Sequence, residues 1–148
     1  MMFYIIDVFL TKVDFTLLRE NVLKCNHMKI NSNFDLKSRY NRKTTILEVV
    51  LSTKTSGLEE DFNILNIDVD ITGIFKLDEK FSINQGDVNI DDNNLDFFTK
   101  VNAPSMLFPF LLENIHSLTQ KAKIKPLIIP FIDFNKIYYE QKSFNTFH

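Results

Sequence analysis

Tryptophan is absent from this chain, glycine occurs three times in 148 residues, and Cys25 is the single cysteine. Each scarcity removes a class of function. One cysteine makes no internal disulfide, and no Cys/His spacing has the form of a zinc site. Together with the lack of any Asn-x-Ser/Thr acceptor, this points to a reducing, cytoplasmic setting. Three glycines cannot build a loop that cradles phosphate. Basic charge is also short: 17 Lys and Arg stand against 19 Asp and Glu, for a net charge of −2, and no basic block forms a nucleic-acid footprint. Long apolar runs are missing as well. The opening MMFYIIDVFL carries Asp7, lacks a basic leader, and stops short of the roughly 18 residues that a membrane span needs, so it reads as a strand and no membrane insertion is expected.

Catalytic groupings are equally scarce. His27, His116 and His148 lie far apart with no paired carboxylates, which makes them surface or core residues rather than metal ligands. Cys25 sits beside Lys24 and near His27, a setting that lowers a thiol pKa, but no third group orients it. Asp87, Asn89 and Asp91 have the i, i+2, i+4 spacing of a calcium loop. The loop fails at its sixth position, Asp92 instead of Gly, and at its twelfth, Phe98 instead of Glu, so this stretch reads as an acidic solvated connection. Neither an enzyme nor a cofactor is expected.

What is abundant is phenylalanine, with 15 copies. Phe brings large apolar area and no polar atom to satisfy, which suits a core and a protein-binding surface equally well. Period-two patterning gives strands over 3–15, 33–40, 44–54 and 62–75. The first is apolar on both faces, with Tyr4, Ile6, Val8 and Leu10 opposite Phe3, Ile5, Phe9, Val13 and Phe15, as in a sheet covered on two sides. Residues 16–32 are weakly patterned and read as a loop or short helix. YNRKT turns at Asn41, with Lys37, Arg39, Arg42 and Lys43 as a solvated hairpin tip, and TSGLEED makes the next turn, so the strands form an antiparallel meander. Gly73 suggests a bend or bulge late in the fourth strand.

Beyond Pro104 the period becomes helical, giving a long helix over 105–123 with Ser105 as cap and Pro109 near the first turn, where its missing N–H costs least. Lys121, Lys123 and Lys125 complement the dipole at its end. Leu107, Phe110, Leu111, Asn114 and Leu118 form one stripe, with Phe108, Leu112, Ile115 and Ala122 as its neighbour; together they are wider than one sheet contact needs. An extended KPLIIPFID and a short helix over 134–142, capped by Asp133, complete an α+β fold over residues 1–148. The surplus apolar surface implies self-association, client binding, or both.

APSMLFPFLLENIHSL and the following IIPFIDFNKIYY resemble the SecB family of protein-export chaperones. Pro104, Leu107, Phe108, Pro109, Phe110, Glu113 and Ser117 match its Pro-x-x-Leu-Phe-Pro-aromatic helix start, with Pro130, Asp133 and Phe134 in near register. TGIF at Thr72 to Phe75 is similar to its Gly-Gly-Ile-Phe, and LTK in the first strand is a weaker match. The resemblance implies a homotetramer, a dimer of dimers, that holds unfolded preproteins without ATP. It implies client-groove roles for Leu65, Phe75, Phe110 and Phe134, subunit-pairing roles for Ile67, Val69, Ile71, Leu111 and Leu118, and contact with the motor SecA through Asp68. Val13 and Thr16 replace acids that SecA-serving members carry, and the chain stops at QKSFNTFH without an acidic tail, which leaves a chaperone dedicated to an antitoxin as the alternative. A domain that binds a small ligand between the same sheet and helices is the reading from a different class.

Overall fold

The computed structural model describes residues 3–18, 28–77, 94–124 and 127–146. Four antiparallel strands, β1 (Phe3–Leu17), β2 (Lys29–Asn41), β3 (Ile46–Glu59) and β4 (Phe62–Leu77), form one sheet in the order β1-β4-β3-β2. Helix α1 (Ala103–Lys121) packs on one face of β3 and β4, and α2 (Phe134–Thr146) follows an extended segment.

The expected meander holds for β2, β3 and β4 and fails for β1, which crosses to the far edge, beside β4, as in a Greek key. Side-chain complementarity accounts for the choice. On β4 the inward row Ile67, Val69 and Ile71 meets Phe15, Val13 and Leu10 of β1, whereas the inward row of β2 contains Ser32 and Ser38. Two bulges, between Ile5 and Asp7 and between Leu10 and Lys12, also reset the alternation of β1. Its helix-side residues are therefore Phe3, Ile5, Val8, Leu10, Val13, Phe15 and Leu17, not the two mixed rows that strict period two assigns. Bulged Thr11 bonds the Asp70 carbonyl at 3.2 Å and the Thr72 hydroxyl at 2.9 Å.

Strands β2 and β3 are longer than apolar patterning shows. Lys29 to Ser32 are strand rather than loop or helix, and Thr55 to Glu59 are strand rather than turn. The hidden inward positions are hydroxyls that satisfy one another: Ser32 to Thr55 at 3.0 Å and Thr55 to Thr53 at 3.3 Å. The turn that remains is Glu60-Asp61, both left-handed at φ 50° and 65°, the two-residue turn that matches strand twist. At the other hairpin, Asn41 accepts the N–H groups of Lys43 and Thr44 at 2.9 and 3.2 Å, an Asx turn at the expected place.

Leu47, Val49 and Leu51 of β3 and the odd-numbered residues of β4 from Leu65 to Leu77 line the inner face. Gly73 lies in uninterrupted pairing with Val8 and Val49, so no bend forms there. Its role is clearance: a Cβ would come 2.7 Å from Leu107 Cδ2 of α1 and 2.8 Å from the Phe75 ring. Phe3, Phe75 and Phe98 join at 4.9 to 6.5 Å as an aromatic cluster that closes this end of the core.

Helical backbone begins at residue 94, before the expected start, and passes through a π-helical turn at Phe98–Asn102 into α1. Phe98 belongs to the core, so the end of the acidic stretch is not solvated connection; residues 84–93 of it lie outside the described residues. Ser105 is consequently internal and donates to the Val101 carbonyl instead of capping. Pro109 falls inside the helix, where it leaves the Ser105 carbonyl without its usual i+4 donor. At the far end Lys123 takes the left-handed position at φ 57°, its N–H bonding the Gln120 carbonyl while that of Ile124 bonds Thr119, a Schellman motif with Lys in the glycine position. Lys125 lies outside the described residues. Asp133 caps α2, its carboxylate accepting from the Lys136 N–H at 3.1 Å.

Candidate functional site

A cleft of about 310 Å³ opens between α2 and the β2 edge of the sheet. Phe34, Leu36 and Leu51 form its floor, Phe134, Ile137 and Tyr138 its wall, and Lys100, Asp35 and Gln141 bring polar groups to its lining. The alternation of β2 places Phe34 and Leu36 inward at the point where α1 no longer covers them fully, and Phe108 spans the gap with ring centroids 5.9 Å from Phe34 and 6.1 Å from Phe134. At one end, Tyr138 stands edge-on to Phe97 at 5.4 Å and hydrogen-bonds Asp96, which also pairs with Lys100 at 2.9 Å. Burial first, and then the Asp96 carboxylate, push the Tyr138 hydroxyl above its ordinary 10.0. Among the described residues no group of three or more His, Cys, Asp or Glu could hold a metal ion.

Two further apolar surfaces lie open. On the extended segment before α2, Leu127 and Ile129 point into the core while Ile128 and Phe131 are 85 % and 84 % exposed. Phe110 on the outer side of α1 is 45 % exposed. The second surface is β1, where Ile5, Leu10, Val13 and Leu17 overhang the helix side and Tyr4 and Phe9 the other, all exposed in the single chain. Isolated exposed apolar residues are ordinary; a whole edge strand of them is not.

The residues singled out in the sequence fall into three environments. Phe134 lines the cleft and Phe110 is open to solvent. Leu65, Phe75, Ile67, Val69, Ile71 and Leu111 are enclosed in the chain's own core, and Leu118 is half-buried against it. Asp68 lies half-buried on the outer sheet face, between Asp14 of β1 and Lys54 of β3. A shallow depression there brings Lys12, Lys54, Asp68 and Asp70 together, so the face alternates in sign rather than being acidic throughout. Of the other groups, His116 is exposed on α1, while Cys25, His27 and His148 lie outside the described residues. Leu51, Ile137, Tyr138, Ile128 and Phe131 were not singled out; for the last two the signal was present, in the alternation of LIIPFID between two prolines.

The model of the family described as preprotein translocase subunit SecB matches residues 2–145. The protein-export protein SecB of Orientia tsutsugamushi (strain Boryong) is 31% identical over 118 residues, 80% of this chain and 68% of that one. The SecB of Rickettsia akari (strain Hartford) is 28% identical over 115 residues, covering 78% and 69%. Among solved structures, a SecB-like chaperone of Mycobacterium tuberculosis, in complex with a ChAD peptide from the HigA1 antitoxin, superposes with a TM-score of 0.69 over 88% of this chain and 91% of that one, at 13% identity. A sheet of this order carrying a long and a short C-terminal helix, together with a family match over nearly the whole sequence, establishes that the chain belongs to the SecB family.

Proposed function

We propose that this SecB-family member is an ATP-independent chaperone that holds unfolded polypeptide for protein export. The observation that carries the reading is the apolar cleft between β2 and α2, with Ile128, Phe131 and Phe110 exposed on the adjoining segments. An unfolded segment buries its Leu, Ile and Phe side chains there at roughly 25 cal/mol per Å², without sequence-specific pairing, and no step needs bond chemistry. Phe110 and Phe134 are direct contacts in this reading, while Leu65 and Phe75 shape the core behind them.

The exposed β1 supports a homotetramer, a dimer of dimers. Subunits meet along that edge, and the buried Ile67, Val69 and Ile71 act through the β1 residues they pair with. Engagement of SecA through Asp68 is the finer proposal; Lys12 and Lys54 beside it reduce the pull on a basic partner. An antitoxin client is the second reading, favoured by the peptide held by the structural neighbour. The test is suppression of aggregation of a chemically denatured protein at near-stoichiometric ratio without nucleotide, with mass by light scattering. A monomer with no suppression overturns the reading, and a pull-down that returns one antitoxin rather than many preproteins selects the second.

A further inference from the structure

The terminal helix is fastened by very little. Among the described side chains of α2, only Phe134 and Tyr138 are buried, one turn apart, while Asn135, Lys136, Ile137, Tyr139, Glu140 and Gln141 are exposed. A 13-residue helix has too few turns to persist in water by itself, so those two contacts decide whether it stays docked. Phe134 rests on Phe108 of α1, and Tyr138 on Phe97 in the helical turn before α1. Tyr138 alone of the pair adds a polar bond, to Asp96, whose carboxylate is also drawn to Lys100 at 2.9 Å. These groups sit at one end of the cleft that α2 walls.

We propose that Asp96 is the positioning residue that keeps α2 docked: by gripping the Tyr138 hydroxyl it fixes the width of the cleft, and release of that grip admits a longer apolar segment. The affinity part rests on the holding reading above; the docking part does not. Physically, a cleft of about 310 Å³ takes one or two side chains, so a longer segment binds best to the undocked form. Its apparent affinity is scaled by the fraction of molecules in that form. The bond to a charged acceptor is the strongest single polar tie on α2, whereas the exposed Asp96–Lys100 pair by itself contributes little.

Hydrogen exchange on the full chain tests docking. Tyr138→Phe keeps the ring against Phe97 and loses only the hydroxyl, and Asp96→Ala removes the acceptor. Both should speed exchange of the amides of residues 136–141 about fivefold to tenfold, with β3 and β4 amides unchanged, and the double variant should add nothing, because one bond is lost either way. Lys100→Gln should behave like the wild type. Unchanged α2 exchange, additive effects, or equal acceleration in the sheet overturns the proposal. In parallel, a reduced, carboxymethylated protein that stays unfolded without denaturant serves as probe, and should bind the two variants about fivefold more tightly. Weaker binding alongside faster exchange overturns the release step. If the wild type does not bind the probe at any concentration, the holding reading fails while the exchange result still decides the role of Asp96.

Discussion

Gly73 shows how a single missing side chain sets the distance between helix and sheet. Any Cβ there meets Leu107 Cδ2 at 2.7 Å and the Phe75 ring at 2.8 Å, and neither can move without disturbing the Phe3, Phe75 and Phe98 cluster. Gly73→Ala should therefore cost about 1–3 kcal/mol, read as a fall in the denaturation midpoint with an unchanged slope. Phe110 is the opposite case: 45 % exposed on the outer side of α1, it contributes little to the core. Phe110→Ala should shift stability by less than about 1 kcal/mol and leave the assembly mass unchanged while weakening suppression of client aggregation severalfold. Loss of assembly without loss of client holding would refute that assignment. At Tyr138 the sign of the pH dependence follows from its raised pKa. The fold favours the neutral phenol, so the contribution is complete below pH about 10 and fades as pH rises through the higher folded value. Wild type should lose more stability than Tyr138→Phe between about pH 9 and 11 in guanidinium titrations.

At the scale of the element, several turns and ends are held by residues that are not the best available for their backbone. Glu60 and Asp61 are both left-handed in a two-residue hairpin, and Lys123 is left-handed at the C-terminus of α1. Replacing Glu60-Asp61 by Asn-Gly, or Lys123 by Gly, should raise stability by about 0.5–1 kcal/mol each, seen as higher thermal midpoints with unchanged client binding. Asp133→Ala should cost α2 about 1 kcal/mol and speed its exchange before any other element responds. How legible each element was depended on its inward residues. β4 reads plainly because its inward row is continuous from Leu65 to Ile71, whereas the first turn of β2 was hidden because Ser32 takes an apolar position and finds its partner in Thr55, 23 residues away. The start of α1 was misread for a similar reason. Pro104 and Pro109 look like first-turn residues, but the helix already runs from residue 94 through a π-turn, and neither proline stops it.

For the whole molecule, β1 is the feature that a single chain leaves unfinished. A fifteen-residue edge strand exposing Ile5, Leu10, Val13 and Leu17 is an association and aggregation hazard unless another subunit covers it. Leu10→Lys should lower the mass measured by sedimentation from tetramer to smaller species and keep the circular dichroism of the folded protomer. Retention of the full mass would place the subunit contact elsewhere. The same scale separates two kinds of predicted interface residue. Ile67, Val69, Ile71 and Leu111 are enclosed by their own chain, so substituting them should unfold the protomer before it alters assembly.

The order of strands and helices, the Asx turn at Asn41, the cap at Asp133 and the SecB-like helix start were all determined by local sequence, because period, capping and turn chemistry act over a few residues. That Phe134 lines a cleft and Phe110 stays exposed, while Leu65 and Phe75 do not reach the surface, was decided only when α1 and α2 met the sheet. Burial depends on what lies across the gap. β1 could have paired with either free edge, and complementarity to Ile67, Val69 and Ile71 placed it beside β4. Asp96 and Tyr138, 42 positions apart, become partners only through that packing, which is why the sequence contains them without indicating that they belong together.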